Sequence, residues 1–178
     1  MNIYLCKMTK SLLRHFFQGF SNDLDLFSDM SRFSEYIYHE ADVDAYWERQ
    51  QQLGRVHLAV MLKTEPIGEV ILKDIDSGKG TLSIHMKNDA VKNRGYGTQA
   101  EILALDYAFQ DLKLQTVFAD AIHKNIRSQH VLEKVGFRET HCNDQFVYYR
   151  CDKDSWTGCR ERNSSRTQIK DSLSSDIL

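Results

Sequence analysis

The apolar residues near the start of the chain follow helical spacing. Over Thr9–Phe20, leucines and phenylalanines recur at intervals of three and four residues, which predicts an amphipathic helix. Thr9 is placed to cap its first turn. A short strand over Ile3–Met8 is predicted before this helix, and a second helix is predicted around Asp42–Gln52. A strand and helical elements therefore open the predicted fold.

The pattern then changes to strand-like stretches bounded by turn residues. Val56–Lys63, Ile67–Asp74 and Thr81–Met86 are each predicted to be strands. Thr64–Pro66, which holds the only proline of the chain, is predicted to be the first turn. Asp76–Gly80 is predicted to be a polar hairpin loop. Consecutive strands joined in this way indicate an antiparallel meander.

The second half of the chain alternates helices with strands. Thr98–Leu112 has a wide apolar face, which is typical of a helix buried against a sheet. Thr116–Ile122 is predicted to be a strand, and Asn125–Val135 a helix that ends at Gly136 in a left-handed cap. A terminal pair of strands follows over Phe137–Thr140 and Phe146–Arg150.

This order of elements predicts an α+β fold in which at least one helix connects parallel strands. We expect one domain over residues 1–156. Residues 157–178 are rich in Ser, Arg and Lys, which predicts a polar tail outside that domain, either mobile or docked on a partner subunit. The second alternative leaves a homodimer open.

Composition excludes several classes of protein. The formal net charge is -2 at pH 7, and no block of basic residues is interleaved with aromatics, so nucleic acid is not an expected partner. No apolar run approaches the ~20 residues that span a bilayer, and the N-terminus lacks a signal peptide. The four cysteines show no metal-ligand spacing, so we predict no metal site and a reducing, cytoplasmic location.

A loop with two glycines is the most informative segment of the sequence. Lys92–Thr98 follows a strand and opens a buried helix, where free N–H groups and the helix dipole favour an anion. Lys92 and Arg94 add positive charge. A P-loop is excluded because Gly-Lys-Ser/Thr is absent. Ala100 stands at the third glycine of a dinucleotide-binding loop, a replacement that the looser form of that motif tolerates. Taken alone, the loop is equally a purely structural turn between strand and helix.

Two segments together resemble the GNAT acetyltransferases. Lys92–Ala100 resembles the acetyl-CoA-binding loop of that family, written Arg/Gln-x-x-Gly-x-Gly/Ala. Asn125–Ser128 and Leu132–Phe137 resemble its second segment, written Asn-x-x-Ser/Ala and Glu-Lys-x-Gly-Phe. Ser128 and Leu132 look most like the branch of ribosomal-protein N-terminal acetyltransferases. The resemblance implies a mixed sheet of about seven strands that part in the middle, with about four flanking helices.

The resemblance also implies how acetyl-CoA would bind. Backbone amides over Arg94–Thr98 would cradle the pyrophosphate, and the pantetheine arm would fill the gap between the strands Thr81–Met86 and Thr116–Ile122. The acetyl carbonyl would lie near backbone donors around Met86–Asn88. Asn125 would bind the pantetheine or cap its helix, and one residue can do both. The predicted donor-binding residues are Met86, Lys87, Lys92, Asn93, Arg94, Gly95, Tyr96, Gly97, Thr98, Asn125 and Ser128.

The implied reaction is acetyl transfer to a primary amine, on a protein N-terminus or a small molecule, by direct attack on the thioester. The amine must lose a proton, so a general base is expected. Strand alternation places His85 near the acetyl position and allows Glu69 to point into the same cleft; both also have ordinary structural explanations. The other acidic or imidazole candidates are Asp120 and His123.

The general acid differs from that of many family members. Their tyrosine falls at Leu132, so Ser128 is the nearest substitute, unless water protonates the thiolate or Ser128 only caps the helix. An aromatic group near the second helix either packs that helix onto the sheet or forms a wall of the acceptor pocket; it comprises Tyr36, Tyr38, Tyr46 and Trp47. The alternative functions are a non-catalytic acyl-CoA sensor and a dinucleotide-dependent redox protein.

Overall fold

The computed structural model describes residues 3–23, 27 and 29–156. The predicted tail, residues 157–178, lies outside the described residues. The strands are β1 (Tyr4–Lys7), β2 (Val56–Leu62), β3 (Glu65–Asp76), β4 (Lys79–Met86), β5 (Thr116–Ile122), β6 (Arg138–Cys142) and β7 (Phe146–Asp152). The α-helices are α1 (Lys10–Gln18), α2 (Glu40–Gln52), α3 (Tyr96–Gln110), α4 (Ile126–Val135) and α5 (Lys153–Trp156), and short 3-10 turns cover Met30–Arg32 and Asp89–Val91.

The strands form one mixed sheet in the order β1-β2-β3-β4-β5-β7-β6. Neighbouring strands run antiparallel except β4 and β5, which are parallel and connected through α3. The predicted α+β architecture with about seven strands is therefore confirmed, and five α-helices are found among the described residues where about four were expected. The predicted crossover helix is α3.

Two apolar layers cover the two faces of the sheet. On one face, α3 and α4 pack on side chains such as Val60, Val70 and Leu82, and Ala104 and Phe109 of α3 have no exposed surface. On the other face, α1 and α2 pack on alternate residues of the same strands, such as Ala59 and Met61. Strand residues that point in opposite directions thus pack in two separate cores.

Local chemistry sets most element boundaries as predicted. The Thr9 hydroxyl caps α1 by accepting from Leu12 N–H at 3.2 Å. Asn125 caps α4 in the same way, accepting from Ser128 N–H at 3.1 Å. Gly136 ends α4 with φ 111, in the left-handed region that favours glycine.

The predicted turns of the meander were wrong in two places. Thr64–Pro66 is not the turn, because β3 already begins at Glu65 and Pro66 pairs with Met61 beside a register shift. A bulge accommodates a residue that has no N–H to donate to the ladder. The hairpin after β3 is also tighter than Asp76–Gly80, since β4 starts at Lys79.

Candidate active site

The parallel strands β4 and β5 pair only at one end. Register pairs join Lys79 to Thr116 and Thr81 to Phe118, and the pairing stops there. Both strands continue beyond this point, β4 to Met86 and β5 to Ile122. A gap in the sheet therefore opens between them, and its edges carry backbone groups that no longer bond across.

The β4 edge of this gap offers a hydrogen-bond donor at Met86. Lys87 N–H donates to Ile67 O on the β3 side at 2.8 Å, so that amide is already used. Because N–H groups alternate along a strand, Met86 N–H points the other way, toward the gap. The backbone amide of Met86 can therefore hydrogen-bond an acetyl carbonyl, as predicted, whereas the backbone amide of Lys87 already donates to Ile67 O.

Helix α3 presents free amides next to the end of β4. Its first backbone hydrogen bond runs from Gln99 N to Gly95 O, so the N–H groups of Tyr96, Gly97 and Thr98 precede the helical ladder. Gly95 takes φ 78 at the helix start, a conformation that favours glycine. The first turn contains no acidic residue, which leaves the positive end of the dipole unopposed.

Gly97 differs from Gly95, because the fold itself does not demand a glycine there. It lies inside α3, which starts at Tyr96 rather than at the predicted Thr98. Its φ is not positive, and a Cβ built on it meets nothing within 4 Å. The absent side chain leaves open space at the helix entrance, as close approach of a ligand to the backbone requires.

The two predicted cations of the loop have different surroundings. Lys92 is only 10% exposed, and its Nζ contacts Asp23 Oδ2 at 2.5 Å and Asp89 Oδ1 at 2.7 Å. Arg127, in the first turn of α4, donates to the same Asp23 oxygen at 2.8 Å. Lys92 charge is therefore balanced within the protein, while Arg94 is exposed and is the cation that remains available to an anion.

The second predicted segment lies at the β5 side of the gap. Asn125 uses its Oδ1 as the α4 cap, and Ser128 is half-buried in the same turn with its N–H engaged by that cap. Leu132, where many family members carry the acid tyrosine, is 4% exposed and packs in the core. Binding of the donor by Asn125 and Ser128 stays a prediction.

A buried carboxylate links strands β2, β3 and β4 on the α1–α2 face. Glu69 Oε2 lies 2.7 Å from His57 Nε2, and Glu69 Oε1 lies 2.9 Å from His85 Nδ1. Tyr46 of α2 donates its hydroxyl to both oxygens, at 3.1 and 3.3 Å. Glu69 and His85 are cross-strand partners in the β3–β4 ladder, which places their side chains on one face. We call these four residues the Glu69 cluster.

Hydrogen bonding keeps the carboxyl group of the cluster ionised. Burial by itself would raise the pKa of Glu69, but the hydrogen bonds to His57 and His85, together with their charges, lower it to about 2. The pKa of Tyr46 is raised, first by burial and then by the adjacent Glu69 charge, so its hydroxyl keeps its proton and donates. Glu69 is thus an ionised carboxylate inside the protein.

Hydrogen-bond chemistry also fixes the tautomer of His85. An ionised carboxylate has no proton to give, so the facing Nδ1 of His85 must carry the hydrogen. In the neutral ring, Nε2 then keeps its lone pair. The side chain of His85 is 47% exposed, whereas that of Glu69 is 3% exposed. Glu69 is therefore not itself accessible as a base, while His85 can reach an incoming group.

The other two candidates for the base have contrasting positions. His123 Nε2 contacts Asn143 O at 2.6 Å, which directs its ring at the β6–β7 turn. Asp120 is exposed, although it lies in an apolar run of β5. Because Phe118 pairs with Thr81, alternation places Asp120 on the same sheet face as His85, on the opposite side of the gap.

Two residues of the site, His57 and Asp23, were not found from the sequence, and Tyr46 was named there only within an aromatic group and not as a partner of Glu69. His57 and Tyr46 complete the Glu69 cluster, and Asp23 joins Lys92 to Arg127. A histidine inside the apolar run of β2 was a usable signal for His57, since a buried imidazole needs a partner. Nothing in the local sequence around Asp23 marks its long-range contacts.

The arrangement as a whole defines a class of protein. A helix start with free amides beside parted parallel strands accommodates an extended ligand that carries phosphate, and an oriented imidazole lies on the adjacent strand. Among the described residues, no group of three His, Cys, Asp or Glu side chains has a geometry for a metal ion. None of the described helices is long and apolar enough to cross a membrane.

Comparison with known proteins identifies the family. A family model described as the acetyltransferase (GNAT) domain matches residues 4–138. The probable N-acetyltransferase YjcK of Bacillus subtilis (strain 168) is 30% identical over 133 residues, which covers 71% of this chain and 69% of that protein. The chain therefore belongs to the GNAT acetyltransferase family, and the predicted enzyme class, N-acetyltransferase, is confirmed.

Solved structures share the fold at low sequence identity. The structure of AAC(6')-Ib in complex with ribostamycin and coenzyme A has a TM-score of 0.73 and 18% identity, covering 93% of this chain and 100% of that chain. A spermidine N-acetyltransferase SpeG chimera from Vibrio cholerae and hSSAT has a TM-score of 0.68 and 16% identity, covering 89% and 99%. Neighbours solved with coenzyme A or acetyl-CoA agree with the predicted acyl donor.

Proposed function

We propose that the protein transfers the acetyl group of acetyl-CoA to a primary amine, with His85 as the general base. The observation that carries the proposal is the Glu69–His85 pair at 2.9 Å, on the strand that borders the gap. Glu69 orients the imidazole by accepting its Nδ1 proton and stabilises the imidazolium that forms when Nε2 takes a proton.

The proposed reaction needs no covalent enzyme intermediate. The amine loses a proton to His85 Nε2, and its nitrogen attacks the thioester carbonyl. The tetrahedral oxyanion is stabilised by Met86 N–H at the free edge of β4. Collapse breaks the carbon–sulfur bond, the attacking nitrogen releases its second proton to water, and the departing thiolate takes a proton from Ser128 or water. The products are an amide and CoA.

The acceptor is proposed to be a small-molecule amine rather than a protein N-terminus. Support comes from structural neighbours whose names specify an aminoglycoside acetyltransferase and a spermidine N-acetyltransferase, at 19% and 16% identity to this chain. The resemblance of Ser128 and Leu132 to the ribosomal-protein branch supports the alternative acceptor, an N-terminal peptide. A cytoplasmic location and a homodimer stay predictions.

An amine panel tests the proposed function directly. Thiol release from acetyl-CoA is measured with diamines, amino sugars, amino acids and N-terminal peptides. Release with an amine, and its loss in His85→Gln with retained CoA binding, supports the proposal. Asp120→Asn is the matched comparison across the gap, because it removes another exposed candidate base. CoA binding without release from any amine favours the acyl-CoA sensor.

A further inference from the structure

Four aromatic side chains form a continuous group beside the Glu69 cluster. The ring centroids of Phe17 and Tyr46 are 5.7 Å apart, those of Phe17 and Tyr36 are 5.6 Å apart, and those of Phe20 and Tyr36 are 5.1 Å apart. Phe17 and Phe20 come from α1 and the residues after it, Tyr36 from the segment before α2, and Tyr46 from α2. We call these four residues the aromatic wall.

The aromatic wall is held against the end of β4. Asn88 Nδ2 donates to Gly19 O at 2.8 Å, and Ser21 N–H donates to Lys87 O at 3.0 Å, on either side of Phe20 in the chain. Tyr46 reaches the other end, where its hydroxyl donates to the Glu69 carboxylate that holds His85. The wall therefore extends from the predicted acetyl position to the proposed base.

Partial exposure distinguishes the wall from ordinary core. Phe16, the neighbour of Phe17 on α1, is fully buried and fills the core beneath it. All four residues of the wall are half-buried, so part of each aromatic surface faces solvent. An aromatic surface left open next to a catalytic group is available to a ligand, and its ring faces attract cations.

The charge of the surrounding chain has the sign that a cation requires. Between residues 20 and 44, the sequence contains seven Asp or Glu and one Arg. Four of these carboxylates are paired with Lys or Arg, namely Asp23, Asp29, Glu40 and Asp44. Glu35 and Asp42 make no ion pair with any described residue. The pKa of the Tyr36 phenol is raised, first by burial and then by the negative charge of nearby Asp42.

We infer that the acceptor is an aliphatic di- or polyamine, whose second protonated nitrogen lies on the aromatic wall while its primary amine faces His85. This inference rests on the proposed function and specifies its substrate class. An alkyl chain packs on the ring surfaces, and the distal ammonium is attracted by the ring faces and by the unpaired carboxylates. A neutral amine of equal length gains only the first of these contacts.

The test compares substrates that differ by one charge. Thiol release is measured with α,ω-diaminoalkanes and with n-alkylamines of the same chain length. We expect kcat/KM to favour the diamine by about tenfold, mainly through KM, because a cation–π contact of ordinary strength has about that effect. The preference should weaken as salt screens the carboxylates.

Variants of Tyr36 distinguish the contribution of its ring to substrate binding from its contribution to folding. Tyr36→Leu should abolish the diamine preference by lowering the diamine kcat/KM more than the alkylamine kcat/KM, whereas Tyr36→Phe, which keeps the ring, should retain the preference. Phe146→Leu replaces a half-buried aromatic residue on β7 and is the matched control. It should leave the diamine preference unchanged. Far-UV circular dichroism and the CoA-induced shift of the melting temperature verify that each variant is folded.

The outcomes distinguish this inference from the function on which it rests. Equal kcat/KM for diamines and alkylamines, or a preference for N-terminal peptides, overturns the polyamine inference and leaves amine acetylation standing. A diamine preference that survives Tyr36→Leu overturns the role of the wall. Absence of thiol release with every amine overturns the proposed function and this inference together.

Discussion

Replacing Glu101 by glutamine should change how the stability of the protein depends on pH. Glu101 lies in α3 among residues that pack on the sheet, and it is 7% exposed. Its Oε2 has no hydrogen-bond partner among the described residues. Burial raises the pKa of Glu101 from 4.5 to about 8, so the folded protein keeps this carboxyl group protonated at neutral pH.

The sign of the effect follows from proton binding. The unfolded chain releases the Glu101 proton near pH 4.5, whereas the folded chain holds it to about pH 8. Between these values the unfolded state binds fewer protons, so the free energy of unfolding falls as pH rises and levels off above about pH 8. From about pH 5 to about pH 8, the loss amounts to about 3 to 4 kcal/mol.

Urea denaturation followed by circular dichroism measures this loss. Wild type and Glu101→Gln are compared at about pH 5 and about pH 8, and the variant should lack the loss that Glu101 causes. Glu133→Gln, the same change at an exposed position of α4, is the control and should follow wild type. If Glu101→Gln and wild type show parallel pH dependence, the buried, protonated state of Glu101 is refuted.

Three further changes test the site and its surroundings. Glu69→Gln should lower kcat by about 10²-fold, because the imidazolium of His85 loses its carboxylate; an unchanged kcat contradicts this role. Gly97→Ala should not lower the melting temperature but should reduce the CoA-induced shift, whereas a full shift shows that no ligand approaches there. Asp23→Asn should reduce the free energy of unfolding by about 1 to 3 kcal/mol in urea denaturation, since Lys92 and Arg127 lose their shared anion; unchanged stability would show that the contact contributes little.

The bounds of helices and strands could be predicted from the sequence where the chemistry of neighbouring residues determines them. Thr116–Ile122 was predicted with the bounds that the structure has, because an apolar run between turn residues reports a buried strand. The caps at Thr9, Asn125 and Gly136 were predicted for the same reason. The errors at Pro66 and at the start of α3 arose where pairing with distant residues overrides local preference.

The Glu69 cluster was predictable only in part. Strand alternation predicted that Glu69 and His85 point into one cleft, and the β3–β4 register confirms that they lie on one face of the sheet. It could not place His57, since that contact depends on the register between β2 and β3, which no local signal sets. The contact of Tyr46 with Glu69 was still less predictable, because it requires α2 to dock on this face of the sheet.

We expect the two faces of the sheet to bind different substrates of the enzyme. The face under α3 and α4 is a continuous apolar core, and it fixes the helix start that is proposed to hold the pyrophosphate. The opposite face carries a smaller core in which polar groups such as Glu69 and His57 are buried as pairs. Substitutions on the second face should alter use of the acceptor with little effect on the donor site, because α3, whose start is proposed to hold the pyrophosphate, packs on the other face. We therefore expect acceptor specificity to be determined by residues of α1, α2 and the segment between them.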